Sequence, residues 1–268
     1  MVAREVEAGT SRLVWTQSIT RTRWLAAKLG LAAGYAALAG LAGLALTWWG
    51  APLDRAIANG YSGSDSVLSV PRLWPALFGS RGTVPLGMAV LALVIGVTLG
   101  MVLRRTVAAM AVTLLVVVAV QVVMPLVVRP HLLSPKQIVT SISQENMREV
   151  AATGRPGSSD FLIKRIGIAV ENPGAWIISN RTYDAAGKVV ETFPAWVTEC
   201  APPPGAPKSD AGRQPCFDRL KAEGFVQRVD YQPASRFWPL QFIETGILLG
   251  LAVLLSGFCV WRVRRDLT

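Results

Sequence analysis

Four stretches of the chain are too long and too apolar for ordinary water-soluble helices, and they decide most of what it can fold into. Residues 24–49 carry one charge, Lys28, near their start. Residues 84–103 and 106–128 carry none, and residues 242–261 carry only Glu244. A bilayer core about 30 Å thick takes roughly 20 residues of helix, and a core helix of a soluble protein seldom runs so far without a polar face. All four are therefore read as transmembrane helices. The first is no cleaved leader: it begins 23 residues in, and Thr47-Trp48-Trp49 offers no small-residue cleavage site. Composition agrees, because only 16% of the 268 residues are charged, against about 25% in soluble domains.

The formal charge of +10 would suit a nucleic-acid binder, but the placement of the basic residues gives another reason for it. Arg4, Arg12, Arg21, Arg23 and Lys28 precede or open the first span, Arg104 and Arg105 fill the gap after the second, and Arg262, Arg264 and Arg265 follow the fourth. These segments fall on one side of a four-span topology. The opposite short loop, 50–83, has only Arg55, Arg72 and Arg81. The positive-inside rule then puts both termini, 1–23 and 262–268, in the cytoplasm. The excess charge reports topology, and no nucleic-acid partner is expected. Trp24, Trp48, Trp49, Trp238 and Trp261 stand near span ends, where amphipathic rings anchor in the interface.

The loop 50–83 and the long segment 129–240 fall outside the membrane. Residues 67–70 and 73–78 of the former are apolar and read as an interfacial stretch along its surface or a re-entrant one. The latter is long enough for a small α+β domain. A helix is expected within 134–150, with 141–148 in its body. Strands are expected at 161–170 and 175–183, the latter returning through a turn at 184–187 to a partner at 188–193. A second helix is expected at 216–223 with Gly224 as its C-cap, and a last strand at 225–231. Cys200 and Cys216 flank the Pro-rich stretch 202–207. Outside the cytoplasm they are expected to form a disulfide, whereas Cys259, inside the fourth span, reads as a small buried apolar residue. The expected architecture is thus a mostly α-helical integral membrane protein: four transmembrane helices, with a small extracytoplasmic α+β domain between the third and fourth.

Within the spans, small residues recur four apart at Gly30 and Gly34, Gly96 and Gly100, and Gly246 and Gly250. Such spacing lets backbones approach in lipid, either within the chain or against a second copy. Glu244 is the one acid inside a span. A charge there faces the protein interior or water, so it is either hydrated near the interface or paired, with Arg236 the nearest basic residue in sequence. Gln121 and Pro125 mark a kink or an inter-helix hydrogen bond in the third span. No catalytic constellation or phosphate-binding loop stands out. One His and three Cys offer no metal site.

The start of the chain is the most informative segment. It reads Glu7-Ala8-Gly9-Thr10, then a short apolar stretch containing Leu13, Val14 and Trp15, then Ser18-Ile19-Thr20-Arg21, with Lys28 at the start of the span. By itself this is an amphipathic cytoplasmic element that lies on lipid or docks a partner. The pattern resembles the type-2 ATP-binding-cassette (ABC) permeases, in which a Glu-x-Gly-Thr segment, a polar turn with Arg and a Lys lead into the third membrane helix. The stretches 232–238 and Glu244-Thr245-Gly246 resemble a bacterial subgroup of such permeases. The resemblance implies that Glu7, Gly9 and Thr10 shape the entry to a coupling helix, that residues 11–17, with Leu13 and Trp15, contact a separate ABC ATPase, and that Arg21 and Lys28 anchor the exit. ATP and Mg²⁺ would belong to that ATPase. The permease would work with a second copy or a related chain, in a bacterial cytoplasmic membrane and as an exporter. Family members usually have six spans, so these four would correspond to the third through sixth. A membrane-anchored extracytoplasmic binding or sensing protein is the alternative. A membrane enzyme would need clustered acids or a nucleophile, and the acids of 129–240 are scattered.

Overall fold

The computed structural model describes residues 21–58, 71–103, 105–154, 161–170, 172, 174–200 and 214–266. It separates into a helical unit, Met1–Ser134 with Ser235–Thr268, and a second unit, Pro135–Ala234.

In the helical unit, α1 spans Arg21–Ala58, α2 Pro75–Ser80, α3 Val84–Leu103 and α4 Thr106–Val123. A wide π-helical turn, Met124–Val128, joins α4 to the short α5, Arg129–Leu132, and α7, Phe237–Asp266, closes the chain. Among the described residues, four helices are long and apolar enough to cross a membrane. The first runs on past residue 49, with Pro52 inside it. In place of a plain loop, part of 50–83 forms α2, opened by Pro75 in the first turn and held down by the fully buried Leu73 and Phe78.

Helix α3 is the hub, packing against α1, α4 and α7. Its apolar side chains meet those helices, while α4 turns Val107, Leu114 and Leu115 outward and the wide turn does the same with Leu126. So broad an apolar exterior is untenable in water and natural in lipid, where the backbone polar groups are satisfied inside each helix. Trp48, Trp49, Trp238 and Trp261 are likewise exposed.

The glycines at α3 are not those expected to lie at close contacts. A Cβ on Gly40 would meet Leu86, one on Gly43 would meet the Gly82 carbonyl and Pro85, and one on Gly87 would meet Leu248 at 3.2 Å. By contrast, Gly30, Gly34, Gly246 and Gly250 have nothing within 4 Å of such an atom, and at Gly96 the nearest is Thr113 at 3.7 Å. Gly100 is buried. At four of the six glycines, then, an added Cβ would meet nothing within 4 Å among the described residues.

The second unit contains β1 (Lys136–Ser141), β2 (Met147–Thr153), β3 (Leu162–Ile168), β4 (Trp176–Tyr183), α6 (Gln214–Ala222) and β5 (Val226–Gln232). One antiparallel sheet has the order β1-β5-β4, and β2 and β3 form a separate antiparallel pair. The helix expected within 134–150 is absent, and β1 and β2 occupy its place. Ile138, Val139 and Thr140 form a β-branched run that favours a strand. A polar turn then breaks any helix: Asn146 Oδ1 accepts the Ser143 N–H at 2.9 Å, and Asn146 Nδ2 donates to the Ser141 carbonyl at 2.9 Å. The segment 188–193 makes a single bridge, Tyr183 to Val189, in place of a full hairpin strand.

Helix α6 ends as expected at Gly224, whose φ is +79°. The Phe225 N–H bonds the Leu220 carbonyl at 3.0 Å and the Gly224 N–H bonds that of Lys221 at 3.1 Å, a Schellman closure. Ile142, Ile163, Ile166, Phe193, Val197, Phe217, Leu220 and Phe225 form the core. Gln227 links the strands through buried polar contacts, accepting from Thr182 Oγ1 at 2.6 Å and donating to the Ile166 carbonyl at 2.9 Å. Cys216 packs against this core. The Cys200 side chain, and with it the expected pairing, lies outside the described residues.

Candidate functional site

The polar side chains of the helical unit converge at one end of α3, around three residues of α7. Gln241, Glu244 and Thr245 follow the i, i+3, i+4 spacing that places side chains on one helix face, and all three are buried.

Gln241 ties three elements together. Its Oε1 accepts the backbone N–H groups of Thr83 at 2.9 Å and Val84 at 3.0 Å. These are orphan donors at the start of α3, which a helix cannot satisfy internally. Its Nε2 donates to the Phe78 carbonyl at 3.0 Å, in α2. Thr245 adds a hydroxyl contact to Thr83 at 2.9 Å. Gly82 fits beneath this side chain with φ +69°, and a Cβ there would lie 2.6 Å from Gln241 Cδ. Its N–H reaches Thr47 Oγ1 of α1 at 2.6 Å.

Glu244 is paired. Arg129 Nε donates to its Oε2 at 2.8 Å and Nη2 to its Oε1 at 3.0 Å, and both side chains are only 2% exposed. The Arg129 guanidinium also lies over the Phe78 ring, 4.0 Å from its centroid, an added attraction for a desolvated cation. Arg236, the expected neighbour, instead donates to the Ser134 carbonyl at 2.6 Å. Eight residues of helix rise about 12 Å, which carries Arg236 away from the depth of Glu244.

Arg129 reaches that depth because the third span changes pitch. Pro125 has no N–H for an ordinary helical bond, and the Arg129 N–H bonds the Met124 carbonyl five residues back. Met124 and Arg129, one wide turn apart, are both buried. Pro125 lies in this turn, and Gln121, one turn earlier, lines a cavity. That cavity, of about 330 Å³, is bounded by α2, the start of α3, the wide turn and α7, with Ala76, Ser80, Met88, Gln121, Arg129 and Glu244 among its walls.

Of the expected coupling residues, Glu7, Gly9, Thr10, Leu13 and Trp15 lie outside the described residues. Arg21 and Lys28 fall on the first turns of α1, and their side chains are not described. Gln241 and Thr83 have no place in the sequence reading, Phe78 and Thr245 enter it only within an apolar loop stretch and Glu244-Thr245-Gly246, and Arg129 falls there in the outer segment. The α7 spacing was a usable signal for Gln241 and Thr245. Among the described residues no three His, Cys, Asp or Glu side chains converge as a metal site requires.

Residues 1–129 match the family model described as ABC-2 membrane transporter related. No curated protein and no solved structure gives a match. The similarity is confined to residues 1–129, and the four apolar helices mark a membrane protein.

Proposed function

We propose that the chain is the permease subunit of a bacterial ABC exporter, driven by a separate ATPase that binds ATP and Mg²⁺. The observation that carries this reading is the similarity of residues 1–129 to ABC-2 membrane transporters, a stretch that includes the Glu7-x-Gly9-Thr10 segment and three of the four spans. Residues 11–17 dock on the ATPase at the cytoplasmic face. Residues 135–234 lie on the other side of the membrane, where Cys200 and Cys216 are bridged. A second copy or a related permease completes the assembly, with Gly30, Gly34, Gly246 and Gly250 offering backbone faces that no described residue covers within 4 Å of an added Cβ.

The polar cluster gives the reading a mechanical element. Gln241, Thr245 and the Arg129–Glu244 pair lock α2, α3, the wide turn and α7 at one end. A displacement delivered at the cytoplasmic end is then passed on by a block of helices moving together, and ATP binding in the partner biases its position, as any ligand biases a two-state element for which it has differential affinity.

Co-purification tests the assignment. Tagged full-length protein is recovered from gently solubilised membranes of the native host, alongside a variant with residues 11–17 replaced by Gly and Ser. An ABC ATPase recovered with the wild type and lost with the variant is the expected result. Recovery of no ATPase by either protein contradicts the reading.

A further inference from the structure

The Arg129–Glu244 pair leaves hydrogen-bonding capacity unused beside the cavity. Arg129 presents its Nε–Nη2 edge to the carboxylate, while Nη1 is buried with no hydrogen-bond partner among the described residues. A guanidinium is planar, so the remaining donors lie in its plane, and stacking on Phe78 does not satisfy them. Each Glu244 oxygen accepts one bond from Arg129 and has a second lone pair to offer. Gln121 adds an amide to the same wall. The rest is largely apolar, with Val84, Met88, Met124 and Pro125 facing the space.

We propose that this cavity binds the head of a zwitterionic phospholipid of the phosphoethanolamine type, its phosphate oxygen on Arg129 Nη1 and its ammonium on the Glu244 carboxylate. Charge selects this class. The pair is neutral as a whole, so a plain anion drawn to Arg129 is repelled by Glu244, and a plain cation meets the reverse. A head carrying both signs satisfies both ends without leaving a net buried charge. Size agrees: about 330 Å³ is at the small end of ligand pockets and suits a head and glycerol, not a whole lipid. The acyl chains would run over the exposed apolar surface of α4 and the wide turn, where Val122, Val123 and Leu126 face outward. Depth agrees too, since six residues of α7 separate the exposed Trp238 from Glu244, about 9 Å along the axis. With Trp238 in the interfacial belt, the pair lies just below the headgroup layer.

The inference needs no ATPase and does not rest on the transport reading. Native mass spectrometry of the full chain in detergent compares phosphatidylethanolamine, phosphatidylcholine and phosphatidylglycerol with matched acyl chains. Phosphatidylethanolamine should be retained roughly tenfold better than phosphatidylglycerol, the scale of about one hydrogen bond to a charged group. Phosphatidylcholine, whose ammonium has no N–H to donate, should fall between them. Ala76→Phe fills the cavity from an exposed position and should remove the preference while leaving the unfolding temperature in lipid-free detergent unchanged. Gln121→Leu, also at an exposed position, should weaken the preference and serves if the first variant fails to fold. Equal or better retention of phosphatidylglycerol would overturn the proposal, as would an unchanged preference in both variants. Soluble phosphoethanolamine should not raise the unfolding temperature, and stabilisation equal to that by the lipid would overturn the membrane-lipid assignment.

Discussion

Arg129 and Glu244, 115 positions apart in the chain, face each other through two parallel hydrogen bonds of 2.8 and 3.0 Å, and both are buried. Removing one partner leaves an uncompensated buried charge, which costs about 3–5 kcal/mol. Replacing both by apolar groups of similar volume is far milder. Arg129→Met and Glu244→Leu should each lower the unfolding temperature sharply in detergent, and the double variant should recover most of the loss. A double variant as unstable as the sum of the singles would mean that the two residues act independently.

Gln241 is expected to be nearly as sensitive without carrying a charge. Gln241→Leu strands the N–H groups of Thr83 and Val84 and the carbonyl of Phe78, at about 1–3 kcal/mol for each group that stays buried. Gln241→Glu keeps the acceptor but loses the donor to Phe78, so it should fall between wild type and Leu. Thermal unfolding followed by tryptophan fluorescence gives the ranking.

The glycines separate packing within the chain from packing against another copy. Gly82→Ala forces a Cβ into a left-handed backbone, against about 1–2 kcal/mol, and into Gln241, so it should destabilise the fold. Gly79→Ala meets nothing within 4 Å and should change stability by less than about 0.5 kcal/mol. Gly246→Leu with Gly250→Leu should also leave the single chain intact. If those glycines face a second copy, this pair lowers the dimer fraction in crosslinking or mass photometry, and an unchanged dimer fraction would remove them from any interface.

The elements legible in sequence were those that one physical rule fixes alone. A bilayer sets the length of an apolar helix, so all four spans could be read, and Gly224 marked the end of α6 because a left-handed closure needs a residue without Cβ. The segment 134–150 was not legible in this way. Its strand character comes from pairing β1 with a strand some ninety residues later, as in Ile138 with Val229, and no local pattern contains that partner. The site was half legible. Glu244 stood out as the acid in a span, but its partner depended on the turn at Pro125, which carries Arg129 to a depth that sequence distance does not show.

The Cys200–Cys216 bridge is a prediction of compartment as well as stability. It closes a loop of about 15 residues and should contribute roughly 3 kcal/mol. Protein purified without reductant should resist alkylation at both positions, leaving Cys259 as the only free thiol after unfolding. Two alkylated thiols at 200 and 216 would place residues 135–234 on the reducing side or exclude the bridge. Lys188→Cys, in an exposed turn, should react with a membrane-impermeant maleimide on intact spheroplasts.

Docking of residues 11–17 on an ABC ATPase can be read directly as contact. A photo-crosslinking amino acid is placed at Leu13 and, in a separate strain, at Lys188, and each protein is irradiated in the living native host. A crosslinked ABC ATPase is expected from position 13 and none from position 188. Crosslinks from position 13 to lipid alone, or an ATPase captured equally from position 188, would contradict that docking.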